Sequence, residues 1–445
     1  VSTKDRPLGE PVWVTTAPAP PPTPSLHGRI DTAVAVIGGG ILGLSTALAL
    51  ARNGIDTIVL EAGSLGAVAS GASSGQVIPG LRFDPADLAG TWGVAAGQRA
   101  WRFGMDTADA AFALIRAERL DCGARQEGWI QAADTEAGLA EARRRVTLCT
   151  NAGQDAVLLD RDAIVAATGG TAYLGGWLHR GGGTVNPLAL TRALAQAVMS
   201  AGARVYTVSS AASLTRSGSG WAIDTPLGHV ATASVLLATN ALTGGLWPAF
   251  ARAILPVWSF QAATEPSPER LRTRVLASGA CVSDTRRVLR YFRTDRDGRL
   301  VVGGKGTASP PRRVSQFALQ QETLRRLYPE LVGIPITHRW GGQVAIVPGR
   351  LPCAHLLAPG LRATIGCNGK GVAWCLAFGA RMAKAIASAD PGALPIPVTP
   401  VAPIPFHRLS RLRRFGCSDR SWSDSLLLMV GGVGCSDARI GSAAG

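Results

Sequence analysis

Residues Asp31 to Glu61 read DTAVAVIGGGILGLSTALALARNGIDTIVLE, and their reading decides the fold. Ala33 to Ile37 is an apolar run of strand length that enters Gly38-Gly39-Gly40-Ile41-Leu42-Gly43. Leu44 to Asn53 is rich in Ala and Leu and stops at Gly54, the pattern of a helix with its C-terminal glycine. Asp56 to Leu60 is a second strand-like run, with Glu61 and Ala62 at its end. Each part has a physical task. Gly38 permits the tight turn out of the strand, Gly40 lets the backbone approach a pyrophosphate, and Gly43 lets the helix pack close to the sheet. The helix N-terminus offers free N–H groups and a positive dipole end. Glu61 stands 18 residues beyond Gly43, where a carboxylate accepts bonds from ribose hydroxyls and repels a 2′-phosphate. Strand, glycine loop, helix and acid together describe a site for an adenine dinucleotide with an unphosphorylated ribose. The unit alone does not choose between FAD and NAD.

The rest of the chain bounds what surrounds this unit. Its 445 residues, 47% hydrophobic, suffice for two domains sharing one chain, and no fixed internal period marks a repeat array. The formal charge of +15 comes from arginines in short scattered groups at 143–145, 286–287, 312–313, 325–326 and 411–414. They lack the aromatic interleaving of a single-strand platform, so a solvated surface is expected and no nucleic-acid partner. The eight cysteines show no CxxC and no paired spacing, which argues against a metal site or a disulfide framework and for a reducing cytoplasm. Lys4, Asp5, Arg6 and the Pro-rich run Pro18 to Pro24 replace the apolar core of a signal peptide, and read instead as an extended N-terminal arm. No stretch of about 18 apolar residues predicts a transmembrane helix.

A second small-residue loop follows at once: Ser70-Gly71-Ala72-Ser73-Ser74-Gly75-Gln76-Val77. With it the chain resembles the D-amino-acid oxidase superfamily of FAD-dependent amine oxidoreductases, and within it the γ-glutamylputrescine oxidase-like branch. The resemblance runs from about Trp13 to about Arg414. It rests on Gly183-Thr184-Val185-Asn186-Pro187 opening a helix, and on Gly202 to Tyr206 as a strand whose continuation brings Ala211 beside the adenine. Val235 to Ala241, with Ala238, Thr239 and Asn240, resembles the strand and turn that close the nucleotide site. Arg290-Tyr291-Phe292-Arg293 and Gly303 to Gly306 resemble a substrate-domain hairpin. Trp340-Gly341-Gly342 and Gly366-Cys367-Asn368-Gly369-Lys370-Gly371-Val372 resemble the return to the cofactor domain. The last loop would aim a helix N-terminus at the flavin pyrimidine. Two positions depart from the branch: Ala72-Ser73-Ser74 stands where Arg-Asn-Gly is common, and Gly349 where an Asp is common. The His or Cys of covalent attachment in some relatives is missing from the second loop and from Gly342, so FAD is expected to bind non-covalently.

The chemistry that the resemblance implies is oxidation of a C–H bond next to an amine, by hydride transfer to flavin N5 and hydrolysis of the resulting imine. The flavin supplies the electronic step and the protein orientation, dryness and charge. Arg290, Tyr291 and Trp340 are the candidate substrate residues, with Arg82, Arg293 and His338 behind them. Arg290 and Arg293 stand at an odd spacing on one strand, so only one can face the flavin. A lysine that serves oxygen in sarcosine-oxidase-like relatives aligns near Val301, which leaves Lys370, with Lys305 second, as the candidate cation. The expected partners are a small amine or amino-acid substrate and O2 or another electron acceptor; the sequence gives no oligomeric state.

The fold implied is α/β with an α+β second domain. A Rossmann-like FAD-binding domain is assembled from residues 28–90, 165–255 and 335–395, and a substrate domain with a large, mostly antiparallel sheet from 91–164 and 256–334. The arm covers 1–27 and a tail 396–445. The tail's Ile404-Pro405-Phe406-His407 resembles the family's closing segment, and beyond about Gly416 the resemblance ends, as for a divergent or frameshifted terminus or, equally, a partner-binding or frayed tail. Two alternatives stay open. One is a dehydrogenase of the same fold acting on an opine, D-amino acid or secondary amine with a quinone or protein acceptor. The other is a catalytically idle FAD-binding interaction protein.

Overall fold

Strand Gly28–Ile37 runs through the middle of a sheet, and its sequence explains why. Val34 to Ile37 are buried on both faces, which suits a near-continuous apolar run in a parallel sheet. The computed structural model, which describes residues 8–286, 288–405 and 407, orders this sheet Cys353–Ala358, Leu361–Ile365, Gly228–Leu237, Gly28–Ile37, Thr57–Leu60, Arg204–Tyr206. Gly28–Ile37 pairs in parallel with Gly228–Leu237 on one side and Thr57–Leu60 on the other. Gly220–Asp224 and Ser213–Ser217 extend the sheet as an antiparallel meander. Helices Ile41–Arg52, Pro187–Ser200 and Gly371–Ala387 pack on one another beside it through Ile41, Leu44, Leu48, Leu190, Leu194, Ala373 and Phe378. Asn186 caps the second of these helices, accepting from the amides of Leu188 and Ala189.

The second sheet has eight strands, ordered Ile336–Ile346, Leu255–Pro266, Arg299–Lys305, Arg290–Thr294, Cys281–Asp284, Trp129–Ala133, Gly175–His179, Ala156–Leu159. Cys281–Asp284 with Trp129–Ala133 is its one parallel pair. Helices Arg161–Thr168 and Ala318–Leu327 cover one face, where Ile164, Leu324 and Leu327 meet Ile130, Val282, Phe292 and Val302. The other face turns toward the first sheet's loops. The fold is thus a Rossmann-like α/β unit with a large, mostly antiparallel second sheet.

Two strands of the antiparallel sheet come from segments expected in the cofactor domain. Gly175–His179 pairs on both its edges within that sheet, and Ile336–Ile346 pairs along its length with Leu255–Pro266. The chain re-enters the first sheet only at Cys353. The expected boundaries followed motif positions, whereas pairing across long sequence distances puts these two strands in the second sheet. The expected helical stretch 91–119 is a short helix Pro85–Trp92 and a long one Val94–Ala117, parted by Gly93 at φ +81°.

The N-terminal segment is docked rather than free: Val12, Trp13 and Leu26 are buried, and the Leu26 amide donates to Ser209 Oγ at 2.8 Å. The expectations for Lys4 to Arg6, Arg287, Arg411 to Arg414 and the tail beyond His407 fall outside the described residues, as does Phe406. Among the described residues no helix is long and apolar enough to cross a membrane, and no cluster of His, Cys, Asp and Glu could hold a metal ion.

Candidate active site

The C-terminal ends of the parallel strands bring the first group of site residues together, as the switch-point rule for such sheets requires. The fit of a dinucleotide is tested by the room the glycines leave. A Cβ on Gly38, at φ +113°, would lie 2.7 Å from the Ala238 carbonyl oxygen. On Gly40 it would lie 2.9 Å from Ser70 Oγ, and on Gly43 2.0 Å from the Gly38 carbonyl oxygen. Gly40 opens helix Ile41–Arg52 with no side-chain cap and no acidic residue in the first turn, which leaves that end open to an anion. Ser70 Oγ accepts from the Ile41 amide at 3.1 Å and so ties the second loop to the first, with Leu42 and Gly43 completing the turn. Glu61 is held with one oxygen accepting from Gly39 N (2.8 Å) and the other from Gly63 N (2.9 Å), with Ala62 between. The segment leading to Ala211 wraps past it, since Ser209 N donates to the Glu61 carbonyl at 2.9 Å. Ala238 N donates to the Ile37 carbonyl at 2.8 Å, and Thr239 and Asn240 follow in the turn, Asn240 at φ +50°.

The second loop is clamped from the antiparallel sheet by side-chain donors. Gln261 Nε2 (2.8 Å) and Trp340 Nε1 (3.0 Å) both donate to the Ala72 carbonyl. Trp13 Nε1 donates to the Ser73 carbonyl at 2.8 Å. The Arg293 guanidinium donates to the carbonyls of Ser74 (3.2 Å), Gly75 (3.3 Å) and Val185 (2.6 Å), and lies 5.1 Å from the Trp13 ring. Burial draws its pKa down to about 10, with like charge from Arg125 adding to the effect. Gln76 donates to the carbonyls of Val282 and Phe292, and Val77 pairs with Gly183. Gly71 is packed so closely that a Cβ would lie 2.1 Å from the Gly66 carbonyl oxygen. Trp340, expected on the wall of a substrate cavity, is fully buried with its N–H committed to this clamp. Gly341 and Gly342 let the strand pass close: a Cβ on Gly342 would stand 3.1 Å from the Ala72 carbonyl.

Strand register sorts the other candidates by face. Trp340, Gln261, Gly303, Tyr291, Ser283, Gln131 and Trp177 lie in one row across seven strands, all on the face that holds Arg293. Tyr291 is half-buried there, its hydroxyl 2.8 Å from Ser259 Oγ, and burial pushes its pKa up to about 12. Gly303 makes room for its ring. Arg290, expected to hold substrate, is the residue of the Arg pair that faces away. It pairs with Gly304, against which Leu319 of the covering helix packs, and its amide donates to Asp284. The odd spacing sends one arginine to each face, and the loop carbonyls took Arg293.

From the opposite side comes Lys370, at the start of helix Gly371–Ala387. Its Nζ donates to the carbonyls of Pro79 and Gly80, both at 3.2 Å, and lies 5.3 Å from the Trp129 ring centre. Burial, and then the positive charge of Arg145, draws its pKa down to about 7. The return loop itself needs left-handed backbone at Gly366, Asn368 and Gly369, and Asn368 Oδ1 accepts from Val347 N at 3.3 Å. Val372 is buried in the first turn of the helix. Of the lesser candidates, His338 is buried beside Thr337, Lys305 is exposed at a strand end, Val301 is fully buried, and Arg82 lies at the surface. Sequence reading missed Gln261, whose Oε1 is buried without a hydrogen-bond partner, and the group Trp129, Trp177 and His179. The signal for Gln261 was an amide side chain set in the otherwise apolar stretch Phe260 to Ala263 of strand Leu255–Pro266.

Glycine loop, acid at the end of the second strand and clamped second loop under an antiparallel sheet define a dinucleotide-dependent oxidoreductase of two-sheet design. The chain belongs to the DAO family, the FAD-dependent oxidoreductases, whose model matches residues 33–385, and FAD is its cofactor. It is 31% identical over 364 residues to the probable oxidoreductase OrdL of Rhizobium meliloti, covering 80% of this chain and 83% of that protein. It is 29% identical over 356 residues to the gamma-glutamylputrescine oxidoreductase of Escherichia coli, covering 79% and 82%. The fold is that of glycine oxidase from Geobacillus kaustophilus, with a TM-score of 0.70 at 20% identity over 83% of this chain and 98% of that one. L-proline dehydrogenase from P. horikoshii gives a TM-score of 0.69 at 18% identity, covering 82% and 95%.

Proposed function

We propose that this protein oxidises the C–N bond of a small amine or amino acid to an imine, with dioxygen as the electron acceptor and FAD held without a covalent bond. The observation that carries the reading is the meeting of Tyr291, Ser259 and Gln261 on one sheet face with Lys370 reaching that face from the cofactor side. The names of the related proteins, an oxidoreductase of gamma-glutamylputrescine and an oxidase of glycine, both describe amines and support the substrate class. FAD, when bound, accepts the two electrons of the oxidation. The chain supplies the rest. The glycine loop and Glu61 hold the dinucleotide end, and the clamped Ala72 to Gln76 backbone fixes the second loop beside it. Tyr291, protonated throughout the neutral range, donates or accepts a hydrogen bond at the substrate through its hydroxyl. Lys370 Nζ, with its pKa near neutrality, takes a proton from the substrate ammonium, since only the neutral amine gives up its electrons readily.

The experiment is a visible spectrum of the purified holoenzyme, followed by anaerobic titration with a panel of amines and amino acids. Bleaching of the flavin by at least one amine is expected; a panel that leaves it oxidised would overturn the reading. Acid precipitation should release the yellow colour into the supernatant. A dehydrogenase of the same fold is the second reading. It is favoured by Val301, a fully buried apolar residue at the position where oxygen-using relatives are expected to carry a lysine. Reoxidation of photoreduced enzyme by air within seconds supports the oxidase; reoxidation by a quinone alone supports the dehydrogenase.

A further inference from the structure

The return loop and the helix it opens carry two thiols whose arrangement the proposed reaction does not use. Cys367 lies in the loop and Cys375 in helix Gly371–Ala387, both free and half-buried. The two thiols are neighbours along one helix face. The helix register explains the contact. Cys367 Sγ lies 3.1 Å from the place a Cβ on Gly371 would take, and Cys375 is four residues on, one turn along the same helix face. Glycine at 371 therefore leaves the space that the Cys367 sulfur occupies. The loop around Cys367 has Gly366, Asn368 and Gly369 in left-handed conformations, two of them glycines, so it can adjust while the helix stays in place.

The other thiols of the described chain differ. Cys122, Cys149, Cys281 and Cys353 all have their pKa raised by burial, to about 12, 11, 12 and 11. Cys367 goes the other way, its pKa drawn down by the neighbouring Cys375 thiol first and by the Gly369 amide after it. Thiolate character marks the sulfur that peroxides attack first.

We propose that Cys367 and Cys375 form a peroxide-reactive dithiol that closes to an intramolecular disulfide at the cofactor loop. The Cys367 thiolate attacks hydrogen peroxide, giving the sulfenic acid and releasing hydroxide, which takes up a proton and leaves as water. The Cys375 thiol then displaces the sulfenic oxygen as water and the S–S bond forms. Two thiols lose two electrons and two protons, and one peroxide becomes two waters. The sulfurs close across one helix turn to the roughly 2.05 Å of a disulfide. The inference does not depend on the substrate or acceptor proposed above, because the oxidant can be added.

The test uses native holoenzyme treated with stoichiometric hydrogen peroxide, quenched with catalase, alkylated in denaturant and digested with trypsin without reductant. Trypsin cuts after Lys370, between the cysteines, so ATIGCNGK (363–370) and GVAWCLAFGAR (371–381) stay together only through a disulfide. The expected product is that linked pair, two hydrogens lighter than the sum, separating on reduction. Both peptides alkylated, a link to another cysteine, or Cys367 overoxidised beside a free Cys375 would each overturn the proposal. In Cys375→Ser and Cys375→Ala the oxidation should stop at Cys367 and be trapped by dimedone. Failure of dimedone to label Cys367 in a variant that retains its flavin spectrum would count against it equally.

Discussion

Arg293→Met tests whether the second loop is held by the antiparallel sheet. The Arg293 side chain is buried, with 3% of the residue exposed, and it donates to four carbonyls: Ser74, Gly75, Val185 and Thr294. A hydrogen bond to a charged group contributes about 1.5–3 kcal/mol. Three of these bonds are long, at 3.2–3.3 Å, so the lower end applies and the four together come to roughly 6–8 kcal/mol. Against this stands the cost of burying the cation, on the order of 3 kcal/mol from the fall of its pKa to about 10. The net loss expected for Arg293→Met is therefore about 3–5 kcal/mol, in the range found when one partner of a buried charged contact is removed. Urea unfolding of the apoprotein measures it directly. Because the released carbonyls belong to the loop beside the cofactor, FAD affinity by fluorescence titration should fall at least a hundredfold. Arg293→Lys keeps the charge but not the fork and should fall between the two. The control is Arg296→Met, whose exposed side chain meets Asp297 at 3.6 Å and should change stability by under about 0.5 kcal/mol. An Arg293→Met protein that matches wild type in both stability and FAD affinity would refute the clamp.

Gly43→Ala places a Cβ 2.0 Å from the Gly38 carbonyl, a backbone atom that cannot move aside, so a loss of more than about 3 kcal/mol and of bound flavin is expected. Gly90→Ala, in a helix with open space around it, should instead stabilise by about 0.5–1 kcal/mol, and paired thermal melts compare the two. Tyr291→Phe removes the hydroxyl bonded to Ser259 and should cost about 1 kcal/mol of stability, read by urea unfolding. With the Tyr291 pKa near 12, the wild-type pH–rate profile should show no tyrosine limb below about pH 11. Lys370→Met tests the buried amine through its pH dependence. Below about pH 7 the lysine is charged in both states and the fold carries the whole cost of burying it, on the order of 5 kcal/mol. Between about 7 and its ordinary 10.5 only the unfolded chain holds the proton, so that cost shrinks and wild type gains on the variant as pH rises. Unfolding curves whose difference is the same at about pH 6.5 and pH 10 would show that Lys370 is solvated.

How much was legible follows from where each interaction finds its partner. Gly38 to Glu61 was readable because every demand in it is local: a turn, a close approach and an acid at the end of the next strand. The second loop was readable in composition but not in cause. Its anchors reach it from far along the chain: Trp13 from 60 residues away, Gln261 from 189 and Arg293 from 218. The choice between Arg290 and Arg293 shows the limit. Period-two alternation states that one faces the cofactor loops, yet both faces of that strand are covered, one by the loops and one by helix Ala318–Leu327. A sheet with water on one side would have betrayed its register by polarity; a sheet buried on both sides does not. The same reasoning explains why Trp340 was taken for a cavity wall. An aromatic residue next to two glycines reads as a surface presented to a ligand, whereas here the glycines admit the neighbouring backbone and the indole N–H binds it. The small residues at Ala72 and Gly342 are therefore placed by the meeting of two sheets as much as by the cofactor. A substitution at either would disturb FAD affinity through the clamp even if its side chain never touched the flavin.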